Sequence, residues 1–204
     1  MEAPSGISMA VPITAKTAKE LAYYSSAQGV GVLGPRGWYC FGVYGSGGEA
    51  LFVSPQPIDA ANMFSADQRV SGPAIEIHHR LGAGSGRFSV AEIIARVFPA
   101  YKRFVASIIE ESDQTFSFGP YPQDRLTYKG KTIVEYRTPA EAEGLGTHSW
   151  LKRNDSPIDG VAILIGPAPD LLLLSVRLPP DLMGLASAIV RQVELDAERP
   201  RKPH

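Results

Sequence analysis

The sequence predicts an α+β fold in which an antiparallel sheet, formed mostly by hairpins and a meander, is packed by a long central helix and a C-terminal helix. Short apolar runs joined by glycine-rich or proline-containing turns are typical of antiparallel strands. Two longer segments repeat apolar residues at helical spacing. Strands and helices do not alternate regularly along the chain, which disfavours a parallel doubly wound sheet.

The length of 204 residues favours one domain with long loops. We expect a flexible leader over residues 1–12, a single α+β domain over 13–196 and a flexible tail over 197–204. The leader has no hydrophobic period, and prolines interrupt the basic residues of the tail.

The N-terminal elements are predicted to be a helix and then a meander of strands. Thr17 to Glu20 has capping-box spacing, so a short helix should begin there and end near Gly29. Strands should follow over 29–34, 38–44 and 50–53, with glycines between the last two forming a hairpin loop. Because both faces of 38–44 are apolar and aromatic, we expect a central strand that is covered on both sides.

The middle of the chain predicts one further strand after an uncertain segment. Residues 58–68 have the pattern of a short helix, and residues 74–81 alternate as a half-buried strand. The alternation predicts an apolar face and a second face that should meet solvent. The apolar face carries Ile75, Ile77, His79 and Leu81, and the other carries Glu76, His78 and Arg80.

The strongest helical pattern begins at a second capping box, Ser89 to Glu92, and continues to Ile109. Pro99 lies inside this pattern. A proline removes one backbone hydrogen bond and clashes with the preceding turn, so we expect a kink between Ala95 and Pro99.

The C-terminal part predicts two hairpins and a closing helix. The first hairpin turns at Lys129 and Gly130, and the second joins 161–165 to 171–176. Between them, a long connection over 140–159 includes a short strand over 147–151, and the last helix should begin at Pro179. This order of elements resembles the layout of small α+β folds of the Mog1 and PsbP type, and the resemblance implies nothing about activity.

Charge and composition disfavour several classes of function. Twenty basic and 21 acidic residues give a net charge of -1, so nucleic acid is not an expected partner. No apolar run approaches the ~20 residues that span a bilayer, and the N-terminus lacks the pattern of a signal peptide. The content of 20 glycines and 17 prolines nevertheless favours slightly a soluble periplasmic or secreted protein in mature form.

Four residues are weak candidates for catalysis. Cys40 would need a neighbouring histidine, His79 or His148, to act as a nucleophile, and its position in an aromatic strand predicts burial instead. Glu76 and His78 share a strand face and could form an acid–base pair, with His148 as a third group. Solvated strand residues are the simpler interpretation, and we predict neither a metal site nor a cofactor.

The long connection is the best candidate for binding. Trp150, Lys152 and Arg153 combine the aromatic and charged groups that interfaces favour, although Trp150 could equally fold back onto the core. We therefore expect a non-catalytic, bacterial-type accessory or binding protein for a protein or small ligand, of the extracytoplasmic inhibitor or immunity type. A small hydrolase that uses Glu76, His78 and His148 is the alternative.

Overall fold

The structure is a computed structural model that describes residues 14–27, 29–58, 70–148 and 150–198. Its longer helices and strands are α1 (Ala15–Glu20), β1 (Leu21–Ser25), β2 (Gly31–Pro35), β3 (Tyr39–Gly45), β4 (Gly48–Ser54), β5 (Ala74–Arg80), α2 (Arg87–Val97), α3 (Lys102–Ser112), β6 (Arg125–Lys129), β7 (Ile133–Thr138), β8 (Ile158–Ile165), β9 (Asp170–Arg177) and α4 (Ala186–Ala197).

The α+β prediction is confirmed by one large antiparallel sheet with helices. Seven strands pair in the order β3-β4-β5-β9-β8-β7-β6, and β1 and β2 form a separate two-stranded sheet. β9, the last strand in the chain, lies at the centre and pairs with β5 on one side and β8 on the other. The three-strand meander and the later hairpins thus become one sheet only when β9 is in place.

The large sheet has a core on each face. On one face, α4 and the β1–β2 pair cover alternate residues of β4, β5, β8 and β9, among them Ile75, Ile77 and Leu174. On the other face, α2 and α3 pack against β7, β8 and β9 around Leu164 and Leu173. Period-two burial follows because successive strand residues point to opposite faces.

Two predictions for the N-terminal half are wrong. The first helix ends at Glu20, where the chain continues directly as β1 and pairs with β2. β3 was expected in the centre of the sheet, but it pairs only with β4 among the described strands and lies at the edge. The apolar residues on both faces of β3 therefore do not indicate a strand that is buried on both sides.

The kink predicted at Pro99 is present as a complete break between two helices. α2 ends at Val97, a short 3-10 turn covers Pro99–Tyr101, and α3 begins at Lys102. Phe98 lies between the two helices with a non-helical backbone (φ -120, ψ 69), and its side chain is buried in the core.

Several predicted segments lie outside the described residues, and one has a different structure from the expected strand. The leader over 1–12, most of the possible helix over 58–68 and the end of the tail over 197–204 lie outside the described residues. The strand expected over 147–151 is instead a 3-10 turn at Leu145–Thr147 and an isolated parallel bridge between Leu151 and Val70. Within the described ranges, no helix has the length and apolar character needed to cross a membrane.

Candidate functional site

The buried polar row on β5 contains two of the predicted catalytic candidates. Glu76 is fully buried and His78 is 2% exposed, so the expectation that they face solvent is wrong. The Glu76 carboxylate contacts His78 Nε2, and Arg80 Nη2 lies 2.8 Å from His78 Nδ1. The two residues therefore meet in space, as an acid–base pair would require, but beneath other parts of the chain.

The cover over this row comes from the long connection between β7 and β8. The backbone N–H of Trp150 lies 3.3 Å from both carboxylate oxygens of Glu76. The Phe52 ring makes edge-on contacts with His78, at 5.7 Å between centroids, and with Trp150, at 6.0 Å. Trp150 thus folds back onto the sheet instead of forming an exposed aromatic patch.

The polar row continues across the sheet to β7. Register places Glu76 opposite Ser175, Ser175 opposite Gly160, and Gly160 opposite Tyr136. The Tyr136 hydroxyl donates to the Leu174 carbonyl at 2.7 Å and lies 2.8 Å from Ser175 Oγ. A side chain at Gly160 would overlap with the Tyr136 ring, so glycine is required there for the tyrosine to cross the strand.

Arg177 is a buried charged group that the sequence did not reveal. Its guanidinium donates to three backbone carbonyls, those of Gly72, Lys152 and Val70, at 3.0, 2.6 and 2.8 Å. Burial lowers the pKa of Arg177, and the charges of Glu76 and Asp155 oppose this change. Arg177 and Glu76 thus both bind the backbone of the long connection, at Lys152 and at Trp150. The side chains of Lys152 and Arg153 are exposed.

His148 belongs to a different cluster from Glu76 and His78. Its Nε2 lies 3.4 Å from a Glu92 carboxylate oxygen, and its Nδ1 lies 3.4 Å from the Tyr121 hydroxyl. The hydrogen bond with His148 is the main cause that lowers the pKa of Glu92. Arg96 completes the cluster by stacking its guanidinium 4.2 Å from the centre of the Tyr121 ring.

Cys40 is exposed, and the prediction that it is buried is wrong. The reason is the edge position of β3, which has only β4 beside it among the described strands, whereas a central strand would have two neighbours. The histidines proposed as its partners face other groups: His79 lies 3.8 Å from Glu49 and from Asp170, and His148 faces Glu92. Among the described residues, no three or more His, Cys, Asp or Glu side chains are grouped to hold a metal ion.

The outer edge of β3 has no neighbouring strand among the described residues. The strand has seven residues, and none of them is charged or a proline. Tyr44 is 77% exposed and Tyr39 is 53% exposed. Soluble proteins commonly protect sheet edges with lysine, proline, bulges or very short strands, because unpaired N–H and C=O groups invite pairing with another chain.

The opposite edge of the same sheet has that protection. β6 is shorter, with five residues, and begins with Arg125 and ends with Lys129. The two edges thus differ in length and charge within one protein. The sequence already contained this signal in the uncharged run 39–45, which was interpreted as a buried strand instead.

A groove lies on the α4 face of the described part of the chain. It has a volume of about 310 Å³ and lies between β7, β8 and the start of α4. Arg137 donates to both carboxylate oxygens of Asp159 at 2.7 and 2.8 Å, and Glu135 accepts from Lys129 at 2.5 Å. The charged groups that line the groove are thus engaged in ion pairs, Arg137 with Asp159 and Glu135 with Lys129 beside the groove.

Comparisons with known proteins do not assign this chain to a group. No family model and no curated protein matches it. One solved structure, a Pseudomonas aeruginosa protein of unknown function that is described as a candidate regulator, has 12% sequence identity and a TM-score of 0.28. That match covers 91% of this chain and 99% of the other, and its similarity is too low to support a conclusion about fold or function.

Proposed function

We propose that this chain is a non-catalytic binding protein that pairs an extended segment of a partner protein with the outer edge of β3. The observation that carries the proposal is the uncharged edge strand of seven residues. In strand addition, backbone hydrogen bonds provide affinity, and alternate side chains provide specificity. An inhibitor or immunity-type role is one form that such binding would take.

The side chains of β3 offer a partner two different faces. Phe41 and Val43 join Phe52 in a small apolar cluster on one face. Tyr44 and Cys40 belong to the other face, where both are exposed. We infer that the residues of the partner segment alternate: apolar residues would lie beside Phe41 and Val43, and residues that can pack against Tyr44 would lie on the other face.

The exposed thiol bears on where such binding would occur. A single accessible cysteine is open to oxidation and to disulfide exchange with other thiols in an oxidising compartment. The exposure of Cys40 therefore favours a reducing compartment over the periplasmic or extracellular location that composition suggested.

The alternative of a small hydrolase rests on the contact between Glu76 and His78. A general base has to reach the proton that it removes from the substrate. Glu76 and His78 are buried, and His148 contacts Glu92 and Tyr121 instead. We therefore infer that the pair stabilises the cover and does not take part in catalysis.

Selection of peptides from a random library tests the proposal. Peptides that bind the protein should lose affinity when N-methyl groups are placed at alternate backbone positions, because only every second residue of a paired strand bonds to its neighbour. Tyr44→Lys should abolish binding, and the matched variant Tyr128→Lys on β6 should not; both tyrosines are exposed, at 77% and 51%. Binding that is equal in the two variants, or no dependence on N-methyl position, would contradict strand pairing at β3.

A further inference from the structure

We propose that the first occupant of the β3 edge is a second copy of this chain, paired antiparallel with its own β3 about a two-fold axis through Gly42. This inference rests on the proposed function and names a partner for the same edge. Such a contact is isologous, so one self-complementary strand is enough to form it.

The order of residues in β3 suits this register. Antiparallel pairing about Gly42 puts Phe41 opposite Val43 of the second copy, on the apolar face that Phe52 also occupies. Cross-strand pairs of aromatic and β-branched residues are among the favourable ones. Cys40 then lies opposite Tyr44, on the other face of the joined sheet.

The glycines of the strand also find suitable neighbours. Tyr39 lies opposite Gly45, and an aromatic side chain that covers a cross-strand glycine compensates for the missing side chain. Gly42 lies opposite itself at the axis, where neither copy adds a side chain to either face of the sheet. All seven residues of β3 thus have a partner in this register.

Electrostatics permits the pairing at this edge and opposes it at the other. β3 contains no charged residue, so two copies bring no like charges together. Self-pairing of β6 in the corresponding antiparallel register would place Arg125 opposite Lys129. Like charges directly opposite each other destabilise a strand pair. We therefore expect a dimer through β3 and none through β6.

The dimer should be weak and should depend on concentration. A contact made by one strand pair is smaller than the interfaces of about 1,600 Å² that are usual for stable complexes. Self-pairing would cover the edge when no partner is present and would give way to a better matched strand. Partner binding and dimer formation should consequently compete.

Disulfide trapping tests the register. In a Cys40→Ser background, Gly42→Cys places two thiols opposite each other, with Cα atoms about 4.5–5.5 Å apart, within the range of a disulfide. A side chain at Gly42 finds ordinary contacts only, the nearest being Ser26 Cβ at 3.7 Å. The matched control is Thr127→Cys in the same background, an exposed residue at the centre of β6.

Under mild oxidation, the Gly42→Cys variant should form a covalent dimer about tenfold faster than the Thr127→Cys control, since pairing raises the local concentration of the thiol. The natural Cys40 should link slowly, because two copies of it would lie about 13 Å apart along the strand in this register. Equal rates for the two edges would overturn the proposal. Linkage of Cys40 as fast as that of Gly42→Cys would overturn the register.

Light scattering provides a second test that needs no new cysteine. With rising concentration, the measured mass of the wild type and Tyr128→Lys should increase from 22.0 kDa towards twice that value, whereas Tyr44→Lys should stay at the monomer mass. A wild type that remains monomeric while selected peptides still bind β3 would refute self-pairing alone. A dimer through β3 without peptide binding would refute the proposed function alone.

Discussion

Buried charges at single residues show how the cover is attached to the sheet. Arg177 is 1% exposed, and its donors are satisfied by carbonyls of two segments that are distant in sequence, at residues 70–72 and at Lys152. Burying a guanidinium is costly unless such hydrogen bonds compensate for the lost water. We infer that Arg177 joins these two segments to each other and to the centre of the sheet.

Arg177→Lys should lower the free energy of unfolding by about 3 kcal/mol, because a single ammonium cannot reach all three carbonyls and a buried acceptor without a donor is costly. Chemical denaturation checks the magnitude. Hydrogen exchange should show lost protection at Val70 and Lys152, whose N–H groups close the bridge between the two segments. As a control, Arg153→Lys alters an exposed side chain of the same connection and should leave both values unchanged.

Glu92 should make the stability of the His148 cluster dependent on pH. The pKa of Glu92 is lowered in the folded state, chiefly by the hydrogen bond with His148. A carboxyl group whose pKa is lower in the folded than in the unfolded state stabilises the fold at pH values above its unfolded pKa, here 4.5. This stabilisation is lost as the pH falls through the folded-state pKa of Glu92. Glu92→Gln should therefore melt at a lower temperature than wild type at pH 7.

The difference in melting temperature between Glu92→Gln and wild type should shrink as the pH falls below 4.5. Glu110→Gln on α3 serves as a control for the loss of one negative charge. A difference that stays constant from pH 7 to pH 3 would show that the carboxylate of Glu92 does not stabilise the fold.

At the scale of elements, the two edge strands show that similar secondary structure can carry opposite properties. In the described part of the chain, β3 and β6 each pair with one neighbour, and of these two strands β6 alone has charged residues at its ends. Of the aromatic residues of β3, Phe41 packs against Phe52, whereas Tyr39 and Tyr44 remain exposed. Packing of the core therefore does not account for the exposed tyrosines of this strand.

The turn between β3 and β4 contains a matched pair of glycines. Gly48 has φ +128, and a side chain there would overlap with the carbonyl of His79, whereas Gly45 has an ordinary φ and open space around it. Gly48→Ala should destabilise the protein by about 2 kcal/mol or more, because both backbone strain and steric overlap oppose alanine. Gly45→Ala should change stability by no more than about 0.5 kcal/mol. Thermal denaturation of the two variants compares them directly.

At the scale of the whole molecule, β9 determines whether the two groups of strands form one sheet. β3, β4 and β5 follow one another in both chain and sheet, as do β6, β7 and β8 in the reverse direction. β9 pairs with β5, nearly a hundred residues earlier, and with its hairpin neighbour β8. Contacts between residues so far apart in the chain form only after the chain has lost the entropy needed to close the long loop between them.

A chain that ends at residue 168 should not form a stable sheet. It would lack β9 and α4, which supply Leu172, Leu174 and Ile189 to one core and Leu173 to the other. We expect the amides of β5 to exchange rapidly in this fragment and to rank among the slowest in the full chain. Strong protection of β5 in the fragment would show that the meander folds without β9.

The sequence by itself determined the local elements, because hydrophobic period, turn residues and proline act over a few neighbours. It predicted the α+β class, a strand at β5, an interruption of the helix at Pro99 and the hairpins on either side of Gly130 and Gly166. The helix expected over 17–29 was too long, because pairing of β1 with β2 outweighed a weak capping signal.

Only the tertiary structure decided which strands are central and which side chains are covered. Strand order depends on contacts between residues far apart in the chain, so an uncharged strand such as β3 gave the same local pattern as a buried one. For the same reason Cys40 was expected inside and lies outside, while Glu76 and His78 were expected in solvent and are buried. The alternation of residues along a strand predicts which side chains share a face. Which helix, strand or loop packs on that face depends on the rest of the chain.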